Sequence, residues 1–162
     1  MAENPAFLIY NYYFTDSDRP INCDGYAELM PSSSPDSIHT VLVVDDSAVI
    51  RDLIQTALSP KYRVLALSNA VDALAAIYHE QISILLLDVL MPEIDGLELC
   101  RTIRNLPQFH QLPIIMITAK DSLFDKVQGR LAGATEYLTK PFNACQLLQT
   151  IERLIEINSL KN

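Results

Sequence analysis

From residue 40 onward the chain alternates short, wholly apolar runs with stretches in which apolar residues return every three or four positions. Val41–Val44 is unbroken hydrocarbon and stops at two aspartates, Asp45 and Asp46. Val49, Ile50, Leu53, Ile54, Ala57 and Leu58 then recur at helical spacing, so a strand is followed by a helix over 48–58. The cycle repeats. Residues 63–68 read as a strand and Ala70 to Tyr78 as an alanine-rich helix. Residues 82–88 form the next strand, and a turn over Met91 to Gly96 leads into a helix from Leu97 to Leu106. Residues 113–118 and 136–140 are two further strands, separated by a helix from Ser122 to Leu131, and a last helix runs from about Ala144 to Ile157. Asn143 stands at the N-cap position of that helix, with Gln146 three residues on as its capping-box partner. Strands that are apolar along their whole length require cover on both faces. Repeated strand–helix order with right-handed crossovers then gives an α/β, doubly wound, five-stranded parallel sheet with five helices.

The first 38 residues behave differently. Phe7, Tyr10, Tyr12, Tyr13, Phe14 and Tyr26 make this part aromatic, but no period of 2 or 3.6 is sustained, and it ends in the linker-like run Pro31 to Ser37. We expect residues 1–38 to be a mostly disordered extension and residues 39–160 to be one domain, with Met30 an alternative initiator. Six acidic residues against one basic give the extension −5 of the net charge of −8. No basic field is left to attract a phosphate backbone or an anionic membrane, so neither nucleic acid nor membrane is expected as a direct partner. No apolar run approaches bilayer length, and the N-terminus lacks the basic leader of an export signal. Cys23, Cys100 and Cys145 are far apart and lack metal-site or dithiol spacing, which predicts reduced thiols in a cytoplasmic protein. His39, His79 and His110 have no metal-ligand spacing either and are expected at the surface.

In a doubly wound sheet, ligands lie beyond the carboxyl ends of the strands. Four of the five expected strands deliver polar groups there: Asp45 and Asp46, Asp88, Thr118, and Lys140 followed by Pro141. A single aspartate at a strand end is usually a cap or turn residue. Three converging carboxylates would resist ionisation unless a cation joined them. Lys140 supplies one charge, and oxygen ligands without histidine or cysteine favour Mg²⁺ for the rest.

The segments VLVVDDS, LLLDVLMPEIDG, PIIMITA and EYLTKPF, in this order and spacing, resemble the receiver domain of bacterial two-component response regulators, of the single-domain, chemotaxis-regulator-like kind, over nearly all of residues 39–160. The resemblance implies a flavodoxin-like fold with strand order 2-1-3-4-5. It implies that Asp88 is the phosphoacceptor, that Asp46 ligates Mg²⁺ directly, that Asp45 acts through water, and that the backbone carbonyl of Leu90 completes the protein ligands. It further implies that Lys140 and Thr118 bind phosphoryl oxygens, that the Lys140–Pro141 peptide is cis, and that Tyr137 turns inward as a switch when the Thr118 loop moves. Such a domain is a signalling switch that catalyses only its own phosphorylation and dephosphorylation. Its implied donor is a sensor histidine kinase or a histidine phosphotransfer protein. The implied output is a changed protein contact on the surface of helix 4, strand 5 and helix 5, either to a downstream target or in a homodimer.

Two positions depart from what the family's water route would use. Leu90 lies two residues beyond Asp88 and Lys120 two beyond Thr118, so assisted self-dephosphorylation is not expected. Leu90 also stands where an aspartyl phosphatase would place its second acid, which argues against that enzyme. A pseudo-receiver that binds partners without phosphorylation is the other alternative, and the intact set of acidic, hydroxyl and lysine positions argues against it. Flavin binding fits the fold alone, because carboxylates after the first strand would repel the phosphate.

Overall fold

The structure, a computed structural model, describes residues 38–119 and 123–161, and of residues 123–126 the backbone alone. The expectations for residues 1–37, including the disordered extension and the start at Met30, fall outside the described residues.

The described chain runs β1 (Thr40–Val44), α1 (Ala48–Leu58), β2 (Arg63–Leu67), α2 (Ala70–His79), β3 (Ile84–Asp88), α3 (Gly96–Arg104), a 3-10 turn (Pro107–Phe109), β4 (Ile114–Ala119), α4 (Leu123–Ala132), β5 (Glu136–Lys140) and α5 (Ala144–Ser159). The strands form one sheet in the order β2-β1-β3-β4-β5, and every pairing is parallel. Strand order reverses between β1 and β3, which places the crevice beside Asp45, Asp46 and Asp88.

Alternation along the strands divides the core in two. Val41, Val43, Ile84, Leu86, Ile115 and Ile117 pack on Ile50 and Ile54 of α1 and on Leu147 and Ile151 of α5. Leu42, Val44, Leu85, Leu87, Ile114 and Met116 face Ala73 and Ile77 of α2 and Leu99 and Ile103 of α3. The central strands β1 and β3 are buried at every position, which is why they read as unbroken apolar runs. Truncating one of these large side chains to alanine costs about 2–5 kcal/mol, so the platform that carries the strand ends is stiff.

The helix ends follow local chemistry. Asn69 and Asp95 cap α2 and α3 by accepting from the N–H groups of Asp72 and Glu98. The Asn143–Gln146 capping box forms as expected. The third helix starts one residue earlier and ends two residues earlier than its periodicity suggests, because Asp95 caps it and Asn105 closes it. Cys100 is buried and free. Cys145 corrects the expectation of three reduced thiols: it is disulfide-bonded. His79 and His110 are exposed, whereas His39 is half-buried with its Nδ1 3.1 Å from the Ser83 hydroxyl. Among the described residues no helix is long and apolar enough to cross a membrane.

Candidate functional site

The carboxyl ends of β1, β3 and β5 bring four of the expected side chains together. Each of Asp45, Asp46 and Asp88 offers a carboxylate oxygen within 4.8 Å of the others. Lys140 Nζ donates to Asp45 Oδ2 at 3.0 Å and to Asp88 Oδ1 at 3.1 Å. Asp45 and Asp88 are buried, at 1% and 5% exposure, while Asp46 faces solvent. The site is therefore an acidic cluster with one open carboxylate and one bridging ammonium.

The two aspartates of β1 are not equivalent. Asp45 Oδ1 accepts from the Ser47 N–H at 2.8 Å and its Oδ2 accepts from Lys140, so both oxygens are already engaged by the protein. Asp46 carries its carboxylate on the open side. The loop that holds both is clamped by Arg51 on α1, whose Nη1 donates to the backbone carbonyls of Asp45 at 2.7 Å and Asp46 at 3.0 Å. Sequence reasoning did not single out Arg51. Its only signal is a long basic side chain six residues beyond Asp45, and its target is backbone, which leaves no mark in composition.

Electrostatics follow from burial and crowding. Desolvation pushes the Asp88 carboxyl up from 3.8 to about 6; Lys140 opposes the rise, and Asp45 and Asp46 add to it. Burial pulls the Lys140 ammonium down, but Asp45 and Asp88 outweigh it and the net direction is upward. Lys140 therefore stays charged, while the Asp88 carboxylate would be favoured by a further positive charge. Three carboxylate oxygens within 4.8 Å of one another, with an incompletely neutralised carboxylate, suit a hard divalent cation.

Thr118 is buried near the end of β4, one residue beyond Ile117, which pairs with Asp88. The Lys140–Pro141 peptide is cis. Leu90 lies in the loop after β3 with its side chain 69% exposed. Lys120 lies outside the described residues. Tyr137 is half-buried on β5 and packs against the core cluster that includes residues of α2 and α3.

The turn that returns the chain from β3 to α3 brings helix and strand into close contact. A Cβ on Gly96 would sit 2.1 Å from the Asp88 carbonyl oxygen. This glycine is needed for space, and not for the backbone freedom that its place in a turn suggests. The residue in that turn with a left-handed backbone is Glu93, at φ 71°.

Comparisons with known proteins agree on one family. Residues 41–152 match the response regulator receiver domain family. The chain is 41% identical over 113 residues to Protein PilG of Pseudomonas aeruginosa, covering 69% of this chain and 84% of that protein. Among solved structures, a CheY-like response regulator receiver domain protein from Methanospirillum hungatei is 30% identical with a TM-score of 0.72, covering 78% of this chain and all of the other. The chemotaxis response regulator CheY4 of Vibrio cholerae is 34% identical with a TM-score of 0.69, covering 73% and 99%.

Proposed function

Because this chain belongs to the response regulator receiver domain family, we propose that it is a phosphorylation switch whose acceptor is Asp88. The observation that carries this reading is Asp88 itself: a buried carboxylate at a strand end, bridged by Lys140 and crowded by two further aspartates. An aspartate nucleophile attacks a phosphoryl group whose outer oxygens hold the charge, so positioning and neutralisation do most of the work. One Oδ of Asp88 bonds to phosphorus as the donor's leaving group departs, and the product is an acyl phosphate.

Mg²⁺ would be held by Asp46, Asp88 and the Leu90 carbonyl. The prior engagement of both Asp45 oxygens supports a place for Asp45 at one remove from the ion. The cation supplies neutralisation of the phosphoryl oxygens. Lys140 is positioned to bind one of those oxygens from its bridge between Asp45 and Asp88. Thr118 binds another, and its loop moves toward Asp88. Tyr137 then changes rotamer, which alters the surface of α4, β5 and α5. Val127 and Leu131 of α4 are 55% and 75% exposed there, an apolar contact for a downstream protein or a second copy. The donor is a histidine kinase or a histidine phosphotransfer protein.

Intact mass after incubation with acetyl phosphate tests this reading. Wild-type protein with Mg²⁺ gains one phosphoryl mass; Asp88→Asn, or wild type in EDTA, gains none. Absence of any gain in wild type would leave a binding module without phosphorylation.

A further inference from the structure

Gly129 lies inside α4, three residues before its end, and is buried. A glycine in a helix interior is disfavoured relative to alanine, and one that persists there usually answers to packing or function. Backbone conformation does not explain it, since Gly133 is the described glycine with positive φ, at 96°. The helix end needs only Gly133. Ala134 N–H donates to Gly129 O at 3.0 Å and Gly133 N–H to Arg130 O at 3.1 Å, a Schellman motif in which residue 129 contributes only its carbonyl.

What the missing side chain leaves is room for Tyr137. A Cβ at residue 129 would lie 1.0 Å from the Tyr137 hydroxyl oxygen and 2.3 Å from its ring carbon Cζ. An overlap of that size requires the ring to move, so the place that Tyr137 occupies needs a glycine at residue 129. The Tyr137 rotamer sets the ring hydroxyl against α4 at residue 129. The helix begins at Leu123 soon after β4 ends, and residue 129 is six residues further on, about 9 Å along the helix axis. Tyr137 itself pairs with Met116, two residues before Thr118.

We infer that Gly129 is a seat for Tyr137: a positioning residue that holds the ring against α4 and so sets the resting balance of the switch. The inference rests on the reading of Tyr137 as the residue that answers phosphorylation. Removing the seat leaves Tyr137 its other rotamers, the change that phosphorylation calls for. By linkage, a protein already shifted that way binds a phosphoryl mimic more tightly. Val127 and Leu131 stand two residues either side of the seat and are exposed, so filling or vacating it reshapes the apolar surface of α4.

The test is a double-mutant cycle of Gly129→Ala and Tyr137→Ala, read in two ways. Thermal unfolding in EDTA reports the seat alone. Gly129→Ala should raise the midpoint by about 4 °C in the Tyr137→Ala background, where helix propensity acts unopposed, and by far less or not at all when Tyr137 is present. Binding of beryllofluoride with Mg²⁺ reports the switch. Gly129→Ala should tighten it about fivefold with Tyr137 present, near the low end of ordinary coupling, and leave it unchanged in Tyr137→Ala. Equal effects of Gly129→Ala in both backgrounds would overturn the seat. Coupled stabilities with unchanged beryllofluoride affinity would overturn its influence on the switch. Failure of wild type to bind beryllofluoride at all would refute the phosphoacceptor reading, and the thermal cycle would still judge the seat.

Discussion

Burial and crowding make Asp88 a costly charge in the metal-free fold, and replacing it with asparagine should stabilise the protein. Its rise from 3.8 to about 6 is caused first by burial and then, against Lys140, by Asp45 and Asp46. A rise of that size corresponds to about 3 kcal/mol between the charged and neutral forms. The sign follows from proton binding. The folded state holds the Asp88 proton more tightly than the unfolded chain, so stability is greatest below the unfolded carboxyl value. It falls as pH rises through about 6, where the folded group ionises. Asparagine keeps the shape and removes the charge, but leaves Lys140 with Asp45 alone. The net gain at pH 7.5 is therefore about 1–3 kcal/mol, or roughly 3–10 °C in the unfolding midpoint. At pH 5 it should shrink to about half, because the folded carboxyl is then largely protonated. The assay is urea or thermal unfolding of wild type and Asp88→Asn in EDTA at both pH values. Added Mg²⁺ should narrow the gap by binding native wild type. An Asp88→Asn protein no more stable than wild type at pH 7.5 would refute the reasoning that burial and crowding destabilise this charge.

Three other outcomes follow from particular contacts. Gly96→Ala drives a Cβ to 2.1 Å from the Asp88 carbonyl oxygen, so it should cost about 2–3 kcal/mol in denaturant unfolding and slow phosphorylation by displacing Asp88; unchanged stability would contradict the contact. Asn143→Ala removes one half of the capping box and should cost about 1 kcal/mol, read by the same method, with the phosphorylation rate unaltered. The exposed Leu90 side chain offers no hydrogen bond to a water near the acyl phosphate, so the phosphorylated protein should persist for minutes or longer in Mg²⁺ buffer, and Leu90→Gln should shorten that lifetime. A wild-type half-life of about a second would count against it.

Much of this molecule was legible because burial and helix capping act through neighbouring residues. An apolar run such as Ile84–Leu87, buried at every position, has few other uses than a central parallel strand. Asn143 and Gln146 announce their box at fixed spacing. The polar residues ending β1, β3, β4 and β5 were visible because each interrupts hydrocarbon abruptly, and strand parallelism carries them to one edge. What stayed hidden depends on distances between residues remote in sequence. Arg51 acts on carbonyls, so no partner side chain betrays it. Gly96 is required by the strand passing beneath it, and Gly129 by a ring on the next strand; a sequence shows only that a side chain is missing. Cys145 presents a comparable case, since spacing between cysteines does not report which of them meet.

Reduction of the phosphorylated protein with borohydride, followed by peptide mass mapping, tests the central claim most directly, because hydride converts an aspartyl phosphate to homoserine and marks the acceptor permanently. The account predicts homoserine at residue 88 in protein treated with acetyl phosphate and Mg²⁺, and unmodified Asp45 and Asp46. Homoserine at either of those two positions, or phosphorylated protein with Asp88 intact, would contradict it.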